Sequence, residues 1–221
     1  MFTGLIEATG TVLDVVLPRS KSGPTRITIS APSIAPRLHT GDSIAVSGVC
    51  LTALDITQTT FSADLAEETI ARTMLSRILA GMIVNLELPT PSGAPMGGHV
   101  VQGHVDGVGA VLAVEPVNSE VEATTDWRLR FSIPVAISKY VASQGSITVD
   151  GVSLTVAGIV GEVVTIAIIP HTYAVTTIHT LRPGSPINIE VDVLAKYAEK
   201  RAMAGIETWT LTEVYLLENG Y

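Results

Sequence analysis

Apolar residues in this chain return at alternate positions in short runs rich in Val, Ile and Thr, and Gly, Pro, Asn and Ser separate the runs. A period of two with such punctuation predicts half-buried strands. In the first half the runs are 10–17, 26–30, 43–46, 51–56, 60–63 and 83–88; in the second they are 108–114, 127–133, 146–149, 154–160, 163–169 and 187–191. Single helical turns are expected at 34–38 and 135–141, with further short helical or turn segments at 67–76 and 172–181. After Asp192 the period changes to that of a helix. Leu194, Tyr197, Ala198 and Ala202 fall on one face, Lys196, Glu199 and Lys200 on the other, and Gly205 is the expected stop. A helix this short is marginal alone, so its apolar face calls for a partner.

The two strand sets are copies of one sequence. Ser43-Ile-Ala-Val-Ser-Gly-Val-Cys-Leu-Thr52 recurs as Ser146-Ile-Thr-Val-Asp-Gly-Val-Ser-Leu-Thr155, identical at seven of ten positions. Gly4 to Leu13 reappears as Gly103 to Leu112, an offset of 99 that becomes 103 further on, which places an insertion near 116–128. A repeat of this length is a tandem domain rather than a solenoid. Six short strands per copy favour small antiparallel barrels, whose closure removes sheet edges. The expected architecture is all-β with a C-terminal helix: duplicated six-stranded antiparallel barrels of Greek-key type. Barrels are assigned to 1–89 and 97–190, a helix to 191–205 and a tail to 206–221, strand or disordered. The proline-rich stretch 89–95 is the linker.

Composition narrows the function. Charged residues make up 15% of the 221 residues and hydrophobic ones 47%, which suggests surface hidden between copies of the chain. A formal charge of −8 with no basic cluster disfavours nucleic acid and anionic membranes. One cysteine forms no disulfide within the chain, the start lacks a signal-peptide pattern, and no run is long enough to span a bilayer. A cytoplasmic location is expected. The five histidines and the cysteine show no metal-ligand spacing, and the glycine-rich run 97–104 leads into a strand rather than a phosphate-cradling helix.

Hydroxyls and a few titratable groups at matching places remain. Cys50 and Thr52 share one strand face, as do Ser153 and Thr155, and Ser43 and Ser146 are their repeat-related neighbours. Such pairs either satisfy backbone groups or line a polar pocket. His104 replaces an apolar residue of the repeat, Leu5, and histidine exchanges protons near neutrality. Cys50 reads either as a small buried hydrophobe or, paired with Ser153, as a wanted polar atom. Asp192, whose counterpart is Pro89, is either a plain N-cap or part of a site.

Met1-Phe-Thr-Gly4, Gly48-Val-Cys-Leu-Thr52, the run 97–107, Asp150-Gly-Val-Ser-Leu-Thr155 and Asn188-Ile-Glu-Val-Asp192 together resemble the riboflavin synthase family, over residues 1 to 204. The resemblance implies a homotrimer joined by the C-terminal helix, with the N-terminal barrel of one subunit facing the C-terminal barrel of a neighbour. Each barrel binds one 6,7-dimethyl-8-ribityllumazine, and a four-carbon unit passes between the two. The products are riboflavin and 5-amino-6-(ribitylamino)uracil, made without cofactor or metal because the C7 methyl of the lumazine is acidic. It also implies catalytic roles for His104, Cys50, Ser153 and Asp192. Substrate contacts are implied for Phe2, Gly4, Ser43, Thr52, Glu68, Thr69, Gly103, Ser146, Thr155, Ile169 and Thr172. Departures from the family pattern at Leu88, Gln144 and Met74 leave two alternatives open: a non-catalytic lumazine- or flavin-binding paralogue, or one recruited to a related dismutation or coupling. Which barrel holds the donor stays open.

Overall fold

The computed structural model describes residues 1–18, 23–121 and 124–203. Gly205 and the tail 206–221 lie outside the described residues. In the first half, β1 (Ala8–Val16), β2 (Thr25–Ser30), β3 (Ser43–Val46), β4 (Val49–Thr52), β5 (Thr60–Leu65) and β6 (Ile83–Glu87) follow the order β4-β3-β6-β1-β2-β5. In the second half, β7 (Gly107–Pro116), β8 (Trp127–Ser132), β9 (Ser146–Val149), β10 (Val152–Val160), β11 (Val163–Ile168) and β12 (Pro186–Val191) close a barrel in the equivalent order β10-β11-β8-β7-β12-β9. Both halves trace one Greek-key path. Two hairpins form, the fifth strand returns beside the second, and the sixth fills the gap between first and third. The fold read from the sequence is therefore the one observed.

Closure differs between the halves. The alternation predicts one strand over 51–56, but β4 stops at Thr52, and the first barrel is joined across β4 and β5 by a single bridge, Leu54 to Ser62. Asp55 turns the chain out of the sheet with φ +44. Its carboxylate holds Arg26 at 2.6 Å. At the same point of the second copy β10 runs on through Gly158 to Val160 and builds a full ladder with β11. Equivalent bulges at Val12/Asp14 and Val111/Ala113 fix the offset at 99, Ser30 and Ser132 end their strands at 102, and Ser43 and Ser146 begin theirs at 103. Three extra residues thus enter the first loop and one enters between the second and third strands.

Each barrel is filled by its inward alternation. Ile27, Ile29 and Phe61 centre the first core, and Leu129, Phe131 and Ile147 the second. Side chains of this size, fully buried, each stabilise by about 1.5–3 kcal/mol. Short helices α1 (Glu67–Arg72), α2 (Val135–Ser138) and α3 (Pro170–Val175) link strands, and single 3-10 turns follow α1 and α3. The last element, α4 (Val193–Met203), follows β12. No described helix is long and apolar enough to cross a membrane.

A pseudo-twofold axis relates the barrels, and the chain marks it with residue pairs. The β3–β4 hairpin turns on Ser47-Gly48 and the β9–β10 hairpin on Asp150-Gly151, all four at positive φ, as two-residue turns with Gly second require. The two turns touch: a Cβ on Gly48 would stand 2.6 Å from the Gly151 nitrogen, and one on Gly151 2.7 Å from that of Gly48. Asn85 and Asn188 span the axis reciprocally. The Asn85 amide donates to the Asp150 carbonyl at 2.9 Å and the Asn188 amide to the Ser47 carbonyl at 2.8 Å. At the other end Phe2 and Val101, themselves related by the repeat, exchange backbone hydrogen bonds.

Candidate functional site

The segments that lead into β1 and β7 cross the axis, and this builds the site. Glu87, at the end of β6, is buried and accepts from the Thr3 and Gly4 amides at 2.6 and 3.0 Å. Glu190 of β12 does the same for Gln102, Gly103 and His104, at 2.8, 3.0 and 3.2 Å. Burial pushes both carboxyls above their ordinary range, against the lowering effect of these N–H donors. Each anchored segment then reaches the opposite barrel. The Ser153 amide donates to the Gly4 carbonyl at 2.7 Å, and the Cys50 amide to the Gly103 carbonyl at 2.9 Å. Gly4 and Gly103 sit at φ +75 and +79, and a Cβ on them would lie 2.6 and 2.7 Å from the Cβ of Ser153 and Cys50. No other residue fits there.

On the first barrel this crossing borders an open cavity of about 440 Å3. Cys50 of β4, Glu68 and Thr69 of α1, and Gly103 and His104 from the second repeat line it, with Gln102, Asp106 and Lys196 around the rim. Five sequence-selected residues are brought together here. His104 is exposed, its backbone is pinned by Glu190, and its ring makes no hydrogen bond to described residues. Lys196 of α4 pairs with Asp106 at 2.6 Å, and Asp106 also accepts from the Val191 amide, so the helix is tied to the rim. Glu68 pairs with Arg72 one turn along α1.

On the second barrel the polar centre is Ser153. Its Oγ lies 2.7 Å from Nδ1 of His99, a residue the sequence reading passed over. Burial lowers the His99 pKa, opposed by the charge of Asp192. The shift favours the neutral imidazole, whose Nδ1 shares a hydrogen bond with the serine hydroxyl. Its other nitrogen, Nε2, is buried with no partner among the described residues. Asp192 accepts from the Leu194 amide at 2.9 Å and so caps α4, and its charge reaches His99.

The remaining selected residues are more dispersed. Ser43 faces Thr52 and Ser146 faces Thr155 across their hairpins, at the ends away from the Gly turns. Neither Ser43 nor Thr52 lines the 440 Å3 cavity. Ile169 caps α3 and is 58% exposed, and Thr172 follows within that helix. Phe2 is fully buried against Ala45 and Val101 with Cys50 packed on it, so it supports the cavity from beneath. His99, Glu87 and Glu190 had a sequence signal. A charge repeated at the end of both sixth strands, and a histidine after two glycines that must pack closely, mark places where the backbone is held. Among the described residues no cluster of His, Cys, Asp and Glu could hold a metal ion.

The sequence profile of the lumazine binding domain matches this chain twice, over residues 3–89 and 102–192. The riboflavin synthase of Bacillus subtilis strain 168 is 38% identical over 225 residues, covering 100% of both chains. That of Mycobacterium tuberculosis strain H37Rv is 40% identical over 205 residues, 90% of this chain and 97% of its own. Among solved structures, LumP complexed with 6,7-dimethyl-8-(1'-D-ribityl) lumazine superposes with a TM-score of 0.74 at 22% identity, covering 86% of this chain and 99% of that one. LumP complexed with riboflavin gives 0.76 at 23% identity with the same coverage. At these identities the likeness to LumP is one of fold.

Proposed function

Because this chain belongs to the riboflavin synthase family of paired lumazine binding domains, we infer that its two barrels hold two copies of one substrate in different roles. The enzyme dismutates 6,7-dimethyl-8-ribityllumazine: one molecule gives up a four-carbon unit to another, yielding riboflavin and 5-amino-6-(ribitylamino)uracil. The observation that carries this reading is the reciprocal crossing of the repeats. It builds a thiol–histidine cavity on one barrel and a serine–histidine pair on the other from one duplicated scaffold.

The chemistry asks for proximity and proton transfer rather than redox power. Holding two substrates together can contribute about 7–11 kcal/mol through effective concentration alone. His104, whose ring has no hydrogen-bond partner among the described residues, moves the proton of an acidic C7 methyl. Cys50 and Thr69 flank the ring of that substrate. Ser153, served by neutral His99, stabilises the adduct between the two molecules on the other barrel. His99 Nε2, buried with no partner among the described residues, remains available to a bound substrate. The chain works as a homotrimer in the cytoplasm. On α4, Leu194 is 65% and Tyr197 60% exposed, an apolar face that packs between subunits and brings the N-terminal barrel of one against the C-terminal barrel of the next.

The test is to incubate purified protein with 6,7-dimethyl-8-ribityllumazine and separate the products by chromatography. Riboflavin is expected with one equivalent of the aminouracil. Lumazine bound but unchanged would replace this reading with a binding protein, and a substrate left unbound would replace it with a recruited enzyme.

A further inference from the structure

The repeat supplies an internal control for one patch of charge. On the outer face of the first barrel Arg26 is neutralised twice, by Asp64 at 2.7 Å and by Asp55 at 2.6 Å. Its repeat counterpart is Arg128, four residues before the end of β8 as Arg26 is before the end of β2. There both carboxylates are gone. The cross-strand partner on β11 is Ala167 in place of Asp64, and at the 103 offset Gly158 takes the place of Asp55. A second arginine is added, since Arg130 stands where the first barrel has Thr28.

The two exposed arginines share one face of β8, roughly 6.6 Å apart along the strand. They flank a depression of about 500 Å3 floored by Ala157, Gly158, Thr165 and Ala167. A Cβ on Gly158 would meet nothing within 4 Å. Among the described residues neither arginine forms an ion pair, and Glu115, beside Arg128 on β7, is not within pairing distance of it. In a chain of net charge −8 this is a local exception.

We propose that this face of the second barrel is a binding site for a phosphate or phosphomonoester dianion, held between the Arg128 and Arg130 guanidinium groups over the small-residue floor. Each guanidinium offers two parallel N–H donors to a tetrahedral oxyanion, and the Thr165 hydroxyl adds a further donor. Gly158 and Ala167 leave open the room that the Asp55 and Asp64 carboxylates occupy in the first barrel. The site uses none of the residues given roles in lumazine chemistry and stands or falls independently of that activity.

The experiment is a titration of the full-length protein at constant ionic strength with inorganic phosphate, and separately with glycerol 3-phosphate, followed through arginine Nε–H NMR signals. Saturable shifts are expected for Arg128 and Arg130 and not for Arg26. Tighter binding of the ester would assign the site to a phosphorylated polyol, and equal binding to the free ion. A double variant, Gly158→Asp with Ala167→Asp, rebuilds the first-barrel clamp while keeping both arginines, and it is expected to weaken binding at least tenfold. An Arg128→Ala, Arg130→Ala variant gives the same loss should the grafted carboxylates unfold the barrel, and thermal melting reports which variants are folded. Shifts that do not saturate, that extend equally to Arg26, or that survive in the folded variants would overturn the proposal.

Discussion

Single side chains divide this molecule into residues that hold backbone and residues left free to react. Glu87 and Glu190 spend their acceptors on amides, Phe2 spends its area on the inter-barrel core, and the His104 ring spends nothing on described residues. Replacing His104 with Gln is expected to lower riboflavin formation by ~10²–10⁴-fold with the melting temperature unchanged; undiminished turnover would remove its proton-transfer role. His99 is the group expected to set the acid side of the pH profile. Burial lowers its pKa from 6.5, so the neutral form persists below that value and is lost only as the pH falls further. The acid limb of kcat is thus expected below pH 6.5 and is expected to disappear in His99→Gln. A limb that survives the substitution belongs to another group. Cys50, Ser153, His104 and Asp192 were selectable from the repeat because a polar residue recurred or a repeat position changed character. At the offset of 99 no residue of the first copy pairs with His99, so the repeat could not single it out and its one signal was the two glycines before it.

Elements carry the second level. The paired hairpin turns are where glycine is fixed by two demands at once, positive φ and contact with the partner turn. Gly151→Ala is expected to cost about 2 kcal/mol or more, from the left-handed backbone and from the 2.7 Å approach to Gly48 together. Thermal unfolding reads this, and a shift below a degree would mean that the turns slide apart freely. α4 is the other element with a task. Its apolar positions were legible from period 3.6, and in the single chain Leu194 and Tyr197 stay exposed. Deleting the chain after Val191 is expected to give monomers in sedimentation. A trimer persisting without α4 would move the subunit interface elsewhere. Strand ends were less legible: nothing in Leu51-Thr-Ala-Leu-Asp-Ile56 announces that Asp55 leaves the sheet to hold Arg26.

At the scale of the whole molecule, the two barrels are coupled through polar groups buried on the axis. Asp150 replaces Ser47 of the first copy, is buried, and has its pKa raised to about 7 by burial, with the Asn188 backbone N–H acting the other way. In the folded protein it keeps a proton that the unfolded chain releases above 3.8. Its effect on stability is therefore neutral in acid, grows unfavourable as the pH rises from about 4 to about 7, and levels off beyond. Asp150→Asn keeps the acceptor for the Asn188 amide and suits the positive φ. The variant is expected to gain melting temperature relative to the parent across that window and to hold the gain above it. A difference independent of pH would place the proton elsewhere, with Glu87 and Glu190, whose shifts have the same direction, next in line.

The sequence alone determined the duplication, the strand count, the antiparallel barrels and the terminal helix, because period-two burial, turn chemistry and self-similarity are local properties written in order along the chain. Tertiary structure alone decided which repeat completes which site. His104 belongs to the second copy yet stands over Cys50 of the first, and Gly4 of the first copy seats Ser153 of the second. That exchange depends on glutamates closing around segments more than eighty residues away and on two glycine turns meeting at an axis. Contacts between distant residues arise only when the whole chain is packed, and no window of sequence contains them.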